Sequence, residues 1–154
     1  MAKVIGFTRL QTLYRRFVGL DIDKAKAIEI IETAEKKLGD LFEVAFKRAE
    51  AEGRDVVTWK DLPITKGLER TMEMFERKRE ELGESKLDLG PIAEYLSGII
   101  DYDKVDEEIK ENLPKLVGTL LLLEGYVVKL VDPSARRPSK EDLERARQIL
   151  DLTL

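Results

Sequence analysis

The sequence predicts an all-α protein, and three observations carry that expectation. Apolar residues return every three or four positions through most of the chain, side chains that cap helix N-termini stand before several such stretches, and one order of segments occurs twice. With 154 residues, 43% hydrophobic and 38% charged, the chain is long enough for one domain or two small ones fused together, and too apolar to stay disordered.

Leu10, Leu13, Tyr14, Phe17 and Val18 fall at helical spacing and predict a short amphipathic helix over 7–18, ended by Gly19. After the link GLDID, Asp23 is placed to cap a helix of roughly 28 residues, about 40 Å long at 1.5 Å per residue. Its apolar stripe is Ile28, Ile31, Ala34, Leu38, Leu41, Phe42, Ala45, Phe46 and Ala49, and its outer face carries Glu32 with Lys36 and Glu43 with Lys47, pairs spaced four apart. So long a helix needs a partner of similar length. The stretch GRDVVTWKDL (53–62) then gives a stop at Gly53, a few strand-like residues from Asp55 to Thr58, and a T-x-x-D cap formed by Thr58 and Asp61. A third helical segment follows, interrupted by Pro63 and Gly67 and resuming with Leu68, Met72, Phe75 and Leu82.

ELGESKLDLGP (81–91) marks a break, beyond which the order repeats. Pro91 can start a short helix with Ile92, Tyr95, Leu96 and Ile99 on one face. DYDK (101–104) stands 80 residues after DIDK (21–24), each before a long helical stretch. In the second, Pro114 must kink or interrupt the helix, and the run VGTLLLLEGYVVKLV (117–131) is apolar nearly all round, so it belongs at the centre of the molecule or of an oligomer. VDPSARRPS then leads to a second cap, Ser139 with Asp142, and a last helix carrying Leu143, Ala146, Ile149 and Leu150.

Composition removes whole classes of function. The chain has no cysteine and no histidine, which excludes disulfides, thiolate nucleophiles, imidazole bases and ordinary zinc sites. No Walker loop, dinucleotide fingerprint or nucleophile elbow is present, and the remaining carboxylates, lysines and hydroxyls form no visible constellation, so a non-enzymatic role with no cofactor is expected. The 15-residue run at 117–131, broken by Glu124 and Lys129, is short of the ~20 residues of a membrane span, and MAKVIGFTRL lacks a signal-peptide core. A cytoplasmic location with no membrane partner follows. Scarce side-chain amides, confined to Gln11, Asn112 and Gln148, together with dense charge suit a thermophile. Net charge is −4 but uneven: residues 1–80 hold 17 basic and 15 acidic groups, residues 81–154 hold 10 and 16.

Short helix, link, long helix, strand-like link, helix is the order of the histone fold, and Gly53, Arg54, Asp61 and Leu62 in the stretch at 53–62 resemble the corresponding loop of archaeal histones. The whole chain is also similar to an uncharacterised bacterial family of fused double histone folds. The resemblance implies two tandem units, 1–82 and 88–154, embracing as a pseudodimer within one compact domain. It implies a structural clamp between Arg54 and Asp61, and pairing of the first link of each half with the second link of the other. GLDID would then lie beside SARRPSK, and GRDVVTW beside IDYDK. The second half matches by order of elements more than by residues, since Arg136 and Arg137 stand six and five residues before Asp142 rather than seven.

Histones hold DNA through loop residues and helix ends that meet phosphates, so those positions decide what the resemblance implies for function. Arg15, Arg16, Arg136, Arg137 and Lys140 are the candidate nucleic-acid-binding residues, gathered at one junction against Asp21 and Asp23; the other junction is acidic apart from Arg54 and Lys104. Solvated or locally paired cations are the plainer alternative. The leading expectation is an architectural or protein-interaction module, with self-association or a protein partner engaged near 117–131. The alternative is a nucleoid-associated protein of weak, sequence-nonspecific DNA affinity. DYDKVDEE (101–108) packs five acids into eight residues, but acids at a helix N-terminus stabilise its dipole without a metal. Trp59, the single tryptophan, suits packing against the other half better than an exposed recognition anchor.

Overall fold

The computed structural model describes residues 6–83 and 89–154; the first five residues and 84–88, which hold the middle of the expected break and the expected start of the second unit at 88, lie outside the described residues. Among the described residues six α-helices follow in this order: α1 (Phe7–Leu13), α2 (Lys24–Ala51), α3 (Lys66–Leu82), α4 (Gly90–Leu96), α5 (Glu107–Val131) and α6 (Lys140–Thr153). The described residues contain no strand, only an isolated parallel bridge between Val57 and Val105.

The first helix does not end where α-geometry ends. It runs on as a π-helical turn, Tyr14–Val18, and Gly19 closes it in the left-handed region at φ 80°, a conformation that a side chain would oppose. The amides of Gly19 and Leu20 both donate to the Tyr14 carbonyl. Asp23 accepts from the Lys26 amide and opens α2, while Asp106 does the same for α5 through the Ile109 amide. The two equivalent caps thus lie 83 residues apart in the sequence, because DYDK forms its own 3-10 turn (Tyr102–Lys104) before α5 begins, whereas DIDK runs directly into α2. After the capping box of Thr58 and Asp61 there is likewise only a 3-10 turn, and α3 starts afresh at Lys66 with Thr65 as its cap. Ser139 and Asp142, by contrast, cap α6 directly.

α5 is the axis of the molecule. α2, α3, α4, α6 and the π-helical turn all pack against it, which explains its apolar character on nearly every side. Pro114 lies within α5 without interrupting it. Of residues 117–131 only Leu130 is exposed, since the chain's own helices cover most of this run.

The halves interleave. α3, from the first half, packs chiefly on α5 of the second, and α6 packs on both α5 and α2. An ideal Cβ on Gly118 of α5 would overlap the Phe75 ring of α3, so a glycine is needed there for the two helices to meet. α2 shows a wider buried face than its stripe suggests, adding Ala27, Ile30 and Thr33, and also Lys37, which is 3% exposed. Asp151 of α6 takes Lys37 at 2.6 Å and Lys36 at 3.1 Å, so Lys36 bridges to the other half instead of pairing with Glu32. Tyr95, Ile99 and Ile149, placed on apolar stripes by spacing, are exposed, because α4 and α6 are short and each bury only a narrow face. Trp59 is half-buried against the core.

Candidate functional site

Both expected loop pairings form. At one junction the Asp21 amide donates to the Arg136 carbonyl at 2.6 Å. At the other the Val57 amide donates to the Lys104 carbonyl at 2.8 Å, and the Asp106 amide donates back to Val57 at 3.0 Å. Val57 and Val105 are both buried, so this short bridge is sealed from water on its apolar side.

Arg54 stands over the second junction but is not available to a ligand. Its Nη1 and Nη2 donate to the two carboxylate oxygens of Asp61 at 2.9 and 2.7 Å, and Nη2 donates to Glu52 at 2.8 Å. Asp61 also accepts from the Thr58 amide and hydroxyl. The Arg54 guanidinium, with help from Thr58, holds the Asp61 carboxyl well below the usual carboxylate range, and Asp61 in turn keeps Arg54 more firmly protonated. The adjoining cleft, about 400 Å³, is lined by Phe46, Glu50, Arg54, Asp55, Asp101 and Lys104. With Arg54 ion-paired, its remaining cation is Lys104 against three carboxylates, a surface that repels phosphate.

The first junction holds a larger cleft of about 630 Å³, lined by Gln11, Arg15, Asp21, Lys24, Lys26 and Arg137 among others. Asp21 gathers two of the expected cations: Arg15 Nη2 lies 2.8 Å and Arg137 Nε 3.7 Å from its carboxylate. Gln11 donates to the Ile22 carbonyl within the lining, and Lys129 donates to the Ala135 carbonyl just before Arg136. Arg16, Arg136 and Lys140 are exposed outside this lining, and among the described residues none of them has an ion-pair partner. The structure therefore brings Arg15 and Arg137 together on Asp21 and leaves the other three outside the lining.

Lys24 and Lys26 were not singled out by sequence. The signal was available: both stand in the first turn of α2, which has no acidic residue, and a helix N-terminus ordinarily favours acids. The acidic stretch at 101–108 resolves into caps. Asp101 accepts from the Asp103 amide, Asp106 caps α5, and Glu107 and Glu108 occupy its first turn. Among the described residues no group of three acidic side chains is placed to hold a metal ion. Among them too, no helix is long and apolar enough to cross a membrane.

Residues 10–151 match the family described as a domain of unknown function (DUF1931). An Aquifex aeolicus (strain VF5) protein, described as an uncharacterized protein, is 30% identical over 152 residues, spanning 98% of this chain and 85% of the relative. A second from the same organism, with the same description, is 32% identical over 146 residues, spanning 92% and 87%. The crystal structure of a Thermus thermophilus protein superposes with a TM-score of 0.84 at 33% identity, covering 98% of this chain and 99% of that one. That of an Aquifex aeolicus protein superposes at 0.83 with 28% identity, covering 97% and 96%.

Proposed function

We propose that this chain, which belongs to the DUF1931 family, is a histone-fold pseudodimer that works as a non-enzymatic architectural module, a rigid helical body docking a protein partner or another copy of itself. Its two units are residues 1–82 and 88–154. The observation that carries the reading is the interleaving of halves: α3 lies on α5, α6 lies on α2, and each link hydrogen-bonds the link of the other half. A lone half would leave the apolar faces of its helices uncovered, so fusion supplies within one chain what a dimer of separate units would supply between two. The electrostatics favour a protein partner over DNA. Asp61 and Glu52 occupy Arg54, Asp21 holds Arg15 and Arg137, and the net charge is −4.

A second reading, nonspecific DNA binding, draws on one observation: Arg16, Arg136 and Lys140 are exposed without ion-pair partners among the described residues, near a cleft that adds Lys24 and Lys26. Fluorescence titration against duplex DNA at about 50 and about 200 mM salt separates the two. The architectural reading expects no saturable binding at either. Saturable binding with a steep salt slope that is lost in the double variant Arg136→Ala, Arg137→Ala would replace it with the DNA reading.

A further inference from the structure

Glu124 is the one acid of α5 sunk into the core: the residue is 1% exposed, and among the described residues neither carboxylate oxygen has a hydrogen-bond partner. It adjoins Gly125, where the π-helical turn packs tightly on α5. An ideal Cβ on Gly125 would lie 2.9 Å from Val18 Cγ2 and 3.0 Å from Tyr14 Cζ. Tyr14, itself fully buried, donates its hydroxyl to the Leu121 carbonyl at 2.8 Å, so its proton is already committed. The charge of Glu29 from α2 acts on Glu124, and the charge of Glu124 in turn acts on Tyr14 of the π-helical turn. α6 brings Glu144 and Arg147 to the groove that Glu29 lines, but that guanidinium is engaged by Glu144 at 2.6 Å and by Asp151 at 3.6 Å.

An ionised carboxylate in this place would have neither water nor a counter-charge, and a second acid would stand nearby. Burial first, and the charge of Glu29 second, push the Glu124 carboxyl well above the usual carboxylate range. We propose that Glu124 is a protonation latch: its neutral carboxyl allows residues 7–18 to stay docked on α5, and its ionisation as pH rises releases that segment. The proton leaves to solvent base, and the carboxylate gains water by displacing its cover. Of the elements around it, α2 is a 28-residue helix tied to α6 through Asp151, whereas the 7–18 segment is much the shorter cover and hydrogen-bonds α5 through the Tyr14 hydroxyl. Because the folded-state value is raised, the latch is fully closed below the ordinary carboxylate range and loosens as pH climbs toward the folded value. Release uncovers Leu10, Leu13 and Tyr14 together with the face of α5 beneath them, an apolar surface hidden at lower pH.

Hydrogen exchange of the full chain from about pH 6 to about pH 10, corrected for intrinsic rates, tests the latch in the wild type, Glu124→Gln and Glu29→Gln. Amides of residues 7–18 should lose protection by about tenfold or more across this range in the wild type. They should stay protected in Glu124→Gln, and loosen at lower pH in Glu29→Gln, where removal of the neighbouring charge makes ionisation easier. Carbon-13 titration of the Glu124 carboxyl in the wild type gives a readout independent of any variant's folding. Identical exchange profiles in the wild type and Glu124→Gln, or a carboxyl that titrates at ordinary carboxylate values, would overturn the proposal.

Discussion

Gly118→Ala probes the contact on which the interleaving of halves rests. In an open helix this substitution gains about 1 kcal/mol, since alanine loses less backbone freedom. Here the added Cβ would overlap Cζ of Phe75 and lie 2.6 and 2.8 Å from its Cε atoms. The ring is 1% exposed and Gly118 is itself buried, so the ring can retreat only by pushing α3 away from α5 or by leaving its rotamer. Overpacking of that kind costs about 1–3 kcal/mol, and a steric conflict this close belongs at the upper end. The clash outweighs the propensity gain, leaving a net loss of about 1–2 kcal/mol. Urea denaturation should show a lower midpoint with an unchanged slope, and the thermal midpoint should fall by roughly 2–8 °C. Phe75→Leu, which trims the ring, should make the same Gly118→Ala change less costly in a double-mutant cycle. A Gly118→Ala protein as stable as the wild type or more so, with no coupling to residue 75, would refute the packing argument.

Asp61→Ala removes a 4%-exposed carboxylate that accepts from Arg54 and Thr58, and should cost about 3 kcal/mol by urea titration; because its folded-state value is depressed, the wild-type advantage should be present above the ordinary carboxylate range and vanish as pH falls through the folded value. Asp151→Ala leaves the buried Lys37, among the described residues, with Asp40 alone at 3.0 Å, and should cost about 1–2 kcal/mol and speed amide exchange in the last turns of α6; a loss confined to other helices would contradict the tie between α6 and α2. Pro114→Ala restores a backbone donor inside α5 and should stabilise by up to about 3 kcal/mol, so a loss of stability would reveal a packing role for the ring.

What could be read in the sequence was local. Asp23 before a long apolar stripe, Ser139 with Asp142, and Pro91 at the start of α4 each act over three or four residues and open their helices as those spacings suggest, whereas Thr58 with Asp61 opens only a 3-10 turn. The pairing of Arg54 with Asp61, seven residues apart, was implied by the resemblance of the loop at 53–62 and is formed. What escaped was settled by distant parts of the chain. Lys37 looks like one more surface lysine until Asp151, 114 positions later, reaches it. Spacing puts Tyr95, Ile99 and Ile149 on apolar stripes, yet exposure depends on how far the facing helix extends. Arg15 and Arg137 can be listed as cations from sequence, but that one carboxylate, Asp21, holds both is a fact of three dimensions. Glu124 reads as a break in an apolar run, and only the layers of helix around α5 turn it into a buried acid.

The claim that the two halves clasp each other within one chain is tested most directly by a nuclear Overhauser spectrum of the intact protein. Phe75 ring protons should show cross-peaks to the Gly118 α-protons, and Val57 methyls to those of Val105, each joining the first half to the second. Phe75 and Val57 cross-peaks confined to residues before 83 would mean that each half folds on itself, and the clasp would not exist.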